Sequence, residues 1–128
     1  MRILVDTNVL ISAILFPGSK PAEALFKVTE DHDLVLCDQN VQELREVIKR
    51  KAPGHPDDVE ALLSGLPYEL IPASNQTRDL IRDPKDQPIL NAAALADIDL
   101  LITGDKDFLS LSLKQPQCIT VAQFLEQF

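Results

Sequence analysis

The sequence predicts an α/β protein, a three-layer α/β/α sandwich around a mostly parallel sheet of five strands. Five short apolar runs are continuous in their centres rather than alternating, which is typical of strands buried on both faces of a sheet. These runs cover residues 3–5, 34–37, 68–71, 100–102 and 118–121. The stretches between them are long enough to hold helices, and parallel strands need such crossover connections.

Local signals place six helices between and after these strands. Pro17 and Gly18 end the first helix, and Pro21 suits the first turn of the second. The third has apolar residues at helical spacing, and the fifth is apolar nearly all round, so we expect it to be deeply buried. The predicted helices span residues 8–15, 21–28, 40–51, 56–65, 86–96 and 122–127.

Size and composition indicate one ordinary globular domain over residues 1–128. The chain has 128 residues, of which 45% are hydrophobic and 25% charged, and a chain of this length can bury a core of its own. No apolar run approaches the roughly 18 residues of a membrane span, and no cleavable leader is evident. Cys37 and Cys118 are too few for a disulfide framework. We therefore expect a soluble cytoplasmic protein with reduced, buried thiols and no membrane contact.

The net charge of −8 argues at first against a nucleic-acid partner, because phosphate binding favours basic domains. The basic residues are, however, clustered in two stretches. One contains Arg45, Lys49, Arg50 and Lys51, and the other Arg78, Arg82 and Lys85. Either cluster could contact phosphates, and either could equally be a solvated helix face.

Two acidic residues directly follow predicted strands. Asp6 follows the first strand and Asp105 the fourth, and ligands of open α/β sheets bind outside the carboxyl ends of strands. Both residues also have a simpler interpretation, Asp6 as the cap of the following helix and Asp105 in a turn that Gly104 permits.

Two further acids lie on predicted helices. Asp86 opens the buried fifth helix, where it could be a cap, a ligand or both. Glu43 lies on the flank of the apolar stripe of the third helix and has no basic residue at i+3 or i+4. We expect Glu43 to be half-buried, so that it needs compensation from elsewhere, such as a metal ion.

One type of chemistry suits these four carboxylates. Mg²⁺ and Mn²⁺ prefer carboxylate oxygens and water, and need no histidine or cysteine ligand. A cation held in this way can activate water and neutralise charge on a phosphodiester. The two histidines, His32 and His55, both lie in polar, turn-like contexts, which makes a metal-independent acid–base pair a poor alternative.

Four short segments carry the candidate acids, and a last strand and a short helix follow them. These segments are DTNVL at 6–10, EL at 43–44, DPKDQPI at 83–89 with Ala93 after it, and TGDKDF at 103–108. In this order and spacing they resemble PIN domains over the whole chain, and most closely the VapC-like toxins of toxin–antitoxin pairs. Each segment is weak alone, and the four together are specific.

The resemblance implies a set of site residues and an activity. The metal-binding acids of the family match Asp6, Glu43, Asp86 and Asp105. Asp107 matches an accessory acid, and Asn8 and Thr103 match polar residues that support the pocket. The family implies RNA cleavage with Mg²⁺ or Mn²⁺, frequent homodimers, and often an antitoxin that blocks the site. We add Arg45, Lys49 and Lys85 as candidate phosphate contacts, because they lie on the elements that carry Glu43 and Asp86.

Other functions fit the sequence less well. A haloacid-dehalogenase-like phosphatase wants a second acid two residues after Asp6, where this chain has Asn8. A phosphorelay receiver domain needs an acid after the third strand, which here is followed by Pro72. The four glycines are too scattered for a nucleotide-binding loop. From another class, a PIN fold that binds RNA or a partner protein without cleavage remains the main alternative.

Overall fold

The chain folds around one sheet, and the computed structural model describes residues 1–54, 56–73, 87–111 and 115–128. The strands are β1 (Arg2–Val5), β2 (Asp33–Cys37), β3 (Glu69–Ile71), β4 (Leu100–Ile102) and β5 (Gln117–Ile119). The helices are α1 (Thr7–Leu15), α2 (Lys20–Asp31), α3 (Asp38–Lys51), α4 (Pro56–Gly65), α5 (Gln87–Leu95), α6 (Lys106–Leu109) and α7 (Val121–Gln127).

The sheet has the strand order β3-β2-β1-β4-β5, and all four of its strand pairs are parallel. In the central strand β1, Leu4 is in register with Val35 of β2 on one side and with Leu101 of β4 on the other. The five predicted strands and the parallel sheet are confirmed. Because the strands are parallel, all their carboxyl ends lie at one edge.

Helices cover both faces of the sheet. On one face Ile3 and Val5 of β1 pack into a core shared with α1, α2, α3, α4 and α7. On the other face Leu4 packs into a second core with Ile89 of α5 and Phe108 of α6. Side chains alternate between the two faces along a strand, so this central strand contributes to both cores. The α/β/α sandwich predicted from the continuous apolar runs is confirmed.

Capping residues explain where several helices begin. Ser19 caps α2, with Pro21 in its first turn, so this helix begins before the predicted position. Thr120 and Gln123 form a capping box at α7. Because Thr120 starts the last helix, β5 ends at Ile119 and not at Val121 as predicted. The short helix α6 was not predicted, and Asp105 is its cap.

The remaining expectations concern cysteines and membrane spans. Both cysteines are free, Cys37 buried and Cys118 only half-buried. Among the described residues no single helix is long and apolar enough to cross a membrane, although α1 and α2 pass that test jointly across a bend of 110°.

Candidate carboxylate site at the edge of the sheet

The strand order reverses between β1 and β4. From β1 the chain moves to β2 and β3 on one side, and it returns to β4 and β5 on the other. Open α/β sheets have a crevice for ligands at the carboxyl end of such a reversal. Asp6 directly follows β1 and Thr103 directly follows β4, so both lie at this crevice.

Asp6 is a buried carboxylate that neutral groups hold in place. Its side chain is 6% exposed. Oδ1 accepts a hydrogen bond of 2.8 Å from the backbone N–H of Thr7 and a longer one of 3.4 Å from Nδ2 of Asn40. Oδ2 accepts a hydrogen bond of 2.8 Å from the hydroxyl of Thr103. Asp6 is thus the cap of α1, as one interpretation of the sequence held, and also a fixed member of the crevice.

Thr103 links Asp6 to Asp105. Its hydroxyl is fully buried, donates to Asp6 and accepts a hydrogen bond of 3.0 Å from the backbone N–H of Asp105. Asp105 is half-buried and caps α6, where its Oδ1 accepts from the backbone N–H of Asp107 at 2.8 Å. Its Oδ2 accepts no hydrogen bond from the described residues. The structure therefore brings Asp6, Thr103 and Asp105 together across two adjacent strands.

Gly104 is not needed for the turn in the way the sequence suggested. Among the described residues no glycine has a positive φ, and a Cβ atom added at Gly104 would meet nothing within 4 Å. The turn depends instead on the two hydrogen bonds of Thr103 and the cap formed by Asp105.

The electrostatic environment of Asp6 disfavours its charged form. Burial raises the pKa of this carboxyl, the hydrogen bonds from Thr103 and Thr7 lower it, and the charge of Asp105 raises it further. Burial likewise raises the pKa of Cys118 to about 11, and the charge of Asp6 adds to that rise. Without a bound metal, the Cys118 thiol is therefore protonated at neutral pH.

Asn40 is a site residue that the sequence reasoning missed. Its side chain is fully buried in the first turn of α3. Nδ2 donates to the hydroxyl of Thr7 at 2.9 Å and to Asp6 at 3.4 Å, while Oδ1 is buried without a hydrogen-bond partner. Asn40 lies at i−4 from Leu44, on the apolar face of α3. A polar residue on a buried helix face was the signal that could have identified it.

The polar cluster around Asp6 accounts for most of the buried polarity in the described part of the chain. In the described part of the chain five polar or charged side chains are buried, and four of these belong to the cluster, namely Asp6, Thr7, Asn40 and Thr103. These four form one hydrogen-bonded group.

Glu43 is exposed, so the prediction that it is half-buried is wrong. It follows Asn40 by three residues on α3, and side chains at this spacing share a helix face with Cβ atoms about 5–6 Å apart. Glu43 therefore lies one turn beyond Asn40 on α3, and its part in the site stays a prediction. The argument that burial alone forces Glu43 to find compensation no longer applies.

Some of the other predicted site residues lie within the described part of the chain, and some lie outside it. Asn8 is exposed in the first turn of α1, and Asp107 is half-buried in α6, so both lie beside the crevice. Asp86 and Lys85 lie outside the described residues, as do Arg78, Arg82 and His55. Within the described ranges no group of three or more histidine, cysteine, aspartate or glutamate side chains is arranged to hold a metal ion.

Arg45 and Lys49 line a separate cavity, of about 580 Å³, between α3 and α4. Arg45 pairs with Glu60 of α4, Nε to Oε1 at 2.8 Å. Lys49 is nine residues beyond Asn40, roughly 13 Å farther along the helix axis. These cations are therefore displaced from Asp6, and one of them already has an acidic partner.

The model of the PIN domain family matches residues 2–107 of this chain. The chain belongs to the PIN domain family. A relative, described as the uncharacterized protein MJ1680 of Methanocaldococcus jannaschii, is 26% identical over the whole of this chain and 92% of its own length. The matched residues include every acidic residue predicted for the site.

Two solved structures have a similar fold. VapBC2 from Rickettsia felis, bound to a DNA fragment from the promoter, is 17% identical with a TM-score of 0.71. VapBC from Salmonella typhimurium, bound to DNA, is 15% identical with a TM-score of 0.66. Each match covers 94% of this chain and 98% of the other. At these identities the likeness concerns the fold alone.

Proposed function

We propose that this PIN-domain protein is a divalent-cation-dependent ribonuclease that hydrolyses RNA phosphodiester bonds. The observation that carries the proposal is the buried Asp6, which is joined through Thr103 to Asp105 at the reversal of strand order. Membership of the PIN family supports a nuclease, and the site chemistry supports the cation.

The donor set fits Mg²⁺ or Mn²⁺. The groups at the crevice are carboxylate, hydroxyl and carboxamide oxygens, which hard cations prefer. Asp6 forms no ion pair with any cation of the described residues, although burial and Asp105 both penalise its charge. The buried Oδ1 of Asn40 also lacks a hydrogen-bond donor. A cation or its water shell would satisfy both deficits.

In this proposal Asp6, Glu43, Asp86 and Asp105 hold the cation, and Asp107 assists. A bound cation supplies an activated water and neutralises charge on the phosphodiester. Thr103 and Asn40 fix the orientation of the Asp6 carboxylate, since their hydrogen bonds leave it little rotational freedom. Asn8 supports the rim of the crevice. Asp86 enters this set only through the family motif, because it lies outside the described residues.

The substrate contacts are proposed for Arg45, Lys49 and Lys85. Arg45 can serve RNA only if its pair with Glu60 opens or is shared, and that pair is solvent-exposed, so opening it costs little. With RNA as its substrate the enzyme would act in the cytoplasm.

We further propose that the protein is the toxin of a toxin–antitoxin pair. The support is the fold shared with VapBC complexes over 94% of the chain. The partner would be an antitoxin that covers the crevice, and the active form would be a homodimer, as the resemblance to VapC-like toxins implies.

The test is incubation of purified protein with a mixed RNA substrate, with added Mn²⁺ and with a chelator. We expect cleavage only with the cation, and its loss in Asp86→Asn, because an amide lacks the charge that holds the cation. Binding of RNA without cleavage under any cation would contradict the proposal and favour a PIN-fold binding module instead.

A further inference from the structure

We propose that a groove beside the carboxylate site binds a single nucleobase of the RNA, next to the phosphodiester that is cut. This groove, the base groove, lies between the first turns of α1 and α7 and has a volume of about 300 Å³. Its lining includes Asn8, Ser12, Thr103, Gly104, Val121 and Ala122. The inference rests on the proposed function and deepens it by assigning a specificity site.

The base groove is continuous with the carboxylate site. Thr103 lines the groove and donates its hydroxyl to Asp6 at 2.8 Å. Asn8 lines it as well and follows Asp6 by two residues in the chain. A phosphodiester held at Asp6 and Asp105 is therefore within one nucleotide of the groove, and an adjacent unstacked base can turn into it.

The charge of the surroundings selects a neutral group. Among the residues that the structure describes, no side chain that lines the groove is charged. A phosphate in the groove would find no cation among these lining residues, so its charge would be uncompensated there. An uncharged base avoids this penalty.

The polar groups of the groove suit the edge of a base. The Asn8 carboxamide is exposed and carries two donors and an acceptor, and the Ser12 hydroxyl can donate or accept. Neither side chain has a hydrogen-bond partner within the described residues. Specific RNA recognition commonly uses such groups on the edges of splayed-out bases.

The size of the base groove and its apolar walls also suit a nucleobase. These walls can contact the face of a ring and are formed by Val9, Pro21, Val121 and Ala122. A volume of about 300 Å³ lies at the lower end of the range of small-molecule sites. The groove therefore has room for one base and not for a folded segment of another protein.

The experiment is a titration of isotope-labelled, metal-free protein with adenosine, guanosine, cytidine and uridine, followed by NMR. Nucleosides lack phosphate, so they report on the groove without the nuclease reaction. We expect saturable shifts at the amides of Ser12, Gly104 and Ala122 with at least one nucleoside, and none of them with inorganic phosphate. No saturable shift with any nucleoside, or the same shifts with phosphate, would overturn the proposal.

Two substitutions of exposed helical alanines give the matched comparison. Ala122→Phe fills the groove, while Ala61→Phe adds the same side chain on α4, away from it. We expect nucleoside affinity to fall about tenfold or more in the first, the scale of a blocked apolar contact, and to be unchanged in the second. Ala122→Leu adds a smaller side chain to the groove, so it should lower nucleoside affinity by an intermediate amount. Equal affinity in the wild type and Ala122→Phe would contradict a site in this groove.

Cleavage-site mapping separates this proposal from the proposed function. The wild type should prefer one base beside the cut, and Ala122→Phe should lose that preference while still cutting. Cleavage with no nucleoside binding and no preference would overturn the base groove and leave the nuclease intact. Nucleoside binding without any cleavage would contradict the nuclease and leave the groove as a base-binding site.

Discussion

Asp6 is deeply buried, and the hydrogen bonds it accepts within the described part of the chain come from neutral groups, namely the N–H of Thr7, the hydroxyl of Thr103 and the carboxamide of Asn40. Such bonds stabilise a carboxylate but do not cancel its charge, and the pKa of Asp6 is raised. The fold therefore fixes the Asp6 carboxyl in a buried position where its charged form costs free energy. Costs of this kind are typical of functional sites.

The raised pKa of Asp6 predicts how stability depends on pH. The folded protein binds this proton more tightly than the unfolded chain, so stability falls as pH rises from the unfolded pKa through the raised folded pKa. Asp6→Asn removes that loss, and its amide can still accept from Thr7 and donate to Thr103. In thermal melts with a chelator, we expect the mutant to match or exceed the wild type at neutral pH, with a shallower pH dependence.

Asp31→Asn is the control for this measurement, because Asp31 is exposed at the end of α2. It should leave the pH dependence of the wild type unchanged. A lower melting temperature of Asp6→Asn at neutral pH would mean that the charge of Asp6 stabilises the fold, contrary to the proposed site.

A substitution at Asp105 can separate its role as the cap of α6 from its proposed role as a metal ligand. Asparagine caps helices about as well as aspartate, so Asp105→Asn keeps the bond to the N–H of Asp107 and relieves repulsion with Asp6. We expect its metal-free form to melt at or above the wild type, while Mn²⁺ stabilises it less. A ligand of the folded state stabilises by RT ln(1 + [L]/Kd), so melts with and without Mn²⁺ give the affinity lost.

Asp107→Asn should follow the same trend more weakly, since the family resemblance makes Asp107 accessory. An Asp105→Asn protein that is strongly destabilised without metal, yet shows an undiminished Mn²⁺ shift, would identify Asp105 as a structural cap alone.

Asn40 is expected to position Asp6. Asn40→Ala removes donors to Asp6 and Thr7 and leaves a gap in the core, which should cost about 1–3 kcal/mol of stability. If the role is positioning, the mutant also needs more Mn²⁺ for half-maximal RNA cleavage. Val28→Ala, a fully buried core substitution in α2, should lower stability and leave the Mn²⁺ requirement unchanged. Identical Mn²⁺ curves for both mutants would reduce Asn40 to a packing role.

At the scale of elements, the site exists because β1 and β4 are neighbours. The sequence predicts that Asp6 and Asp105 each follow a strand, and it does so from the apolar runs alone. The strand order cannot be read from these runs, because the pairing of β1 with β4 joins residues almost a hundred positions apart. The family resemblance implied only that Asp6 and Asp105 bind the same metal, and the structure shows that their strands are adjacent.

Sequence reasoning failed at two elements for identifiable reasons. Helix α6 has only four residues, too few to show a periodic pattern. The burial of Glu43 was inferred from its angle to the apolar stripe of α3, but that stripe is narrower than assumed. Only Val41, Leu44 and Ile48, together with Asn40, are buried on this helix.

The three proposed phosphate contacts, two on α3 and Lys85 elsewhere in the sequence, give a prediction about RNA binding. Replacing Arg45, Lys49 and Lys85 together by glutamine should weaken RNA affinity and reduce its dependence on salt. If each contacts one phosphate of single-stranded RNA, the slope of log K against log salt should become shallower by about 2. Filter binding over a range of salt concentrations at saturating Mn²⁺, in an Asp6→Asn background that does not cut, provides the measurement.

Glu60→Gln is a matched variant with the opposite expected effect, because it releases Arg45 from its ion pair. It should strengthen RNA binding and steepen the salt dependence. If the triple glutamine mutant binds RNA with the affinity and salt slope of its parent, the three cations do not contact the RNA, and Arg45 serves only to link α3 to α4.

At the scale of the whole molecule, a net charge of −8 and an RNA substrate are compatible only if the negative charge near the substrate is compensated. The carboxylate site concentrates acids where the phosphodiester must approach. A cation there makes the local charge more positive by two and so reduces the repulsion from the proposed acids. We therefore expect the proposed RNA binding to depend on occupation of the site.

The proposed cation site is tested most directly by anomalous X-ray scattering from crystals grown with Mn²⁺. We expect a manganese peak at the carboxyl edge of the sheet, about 2.0–2.6 Å from oxygens of Asp6 and Asp105. Glu43 and Asp86 should lie within about 10 Å of these two residues, the span of a site of one or two cations. An edge without a manganese peak at saturating Mn²⁺, or a peak held by other residues, would contradict a cation site at Asp6 and Asp105.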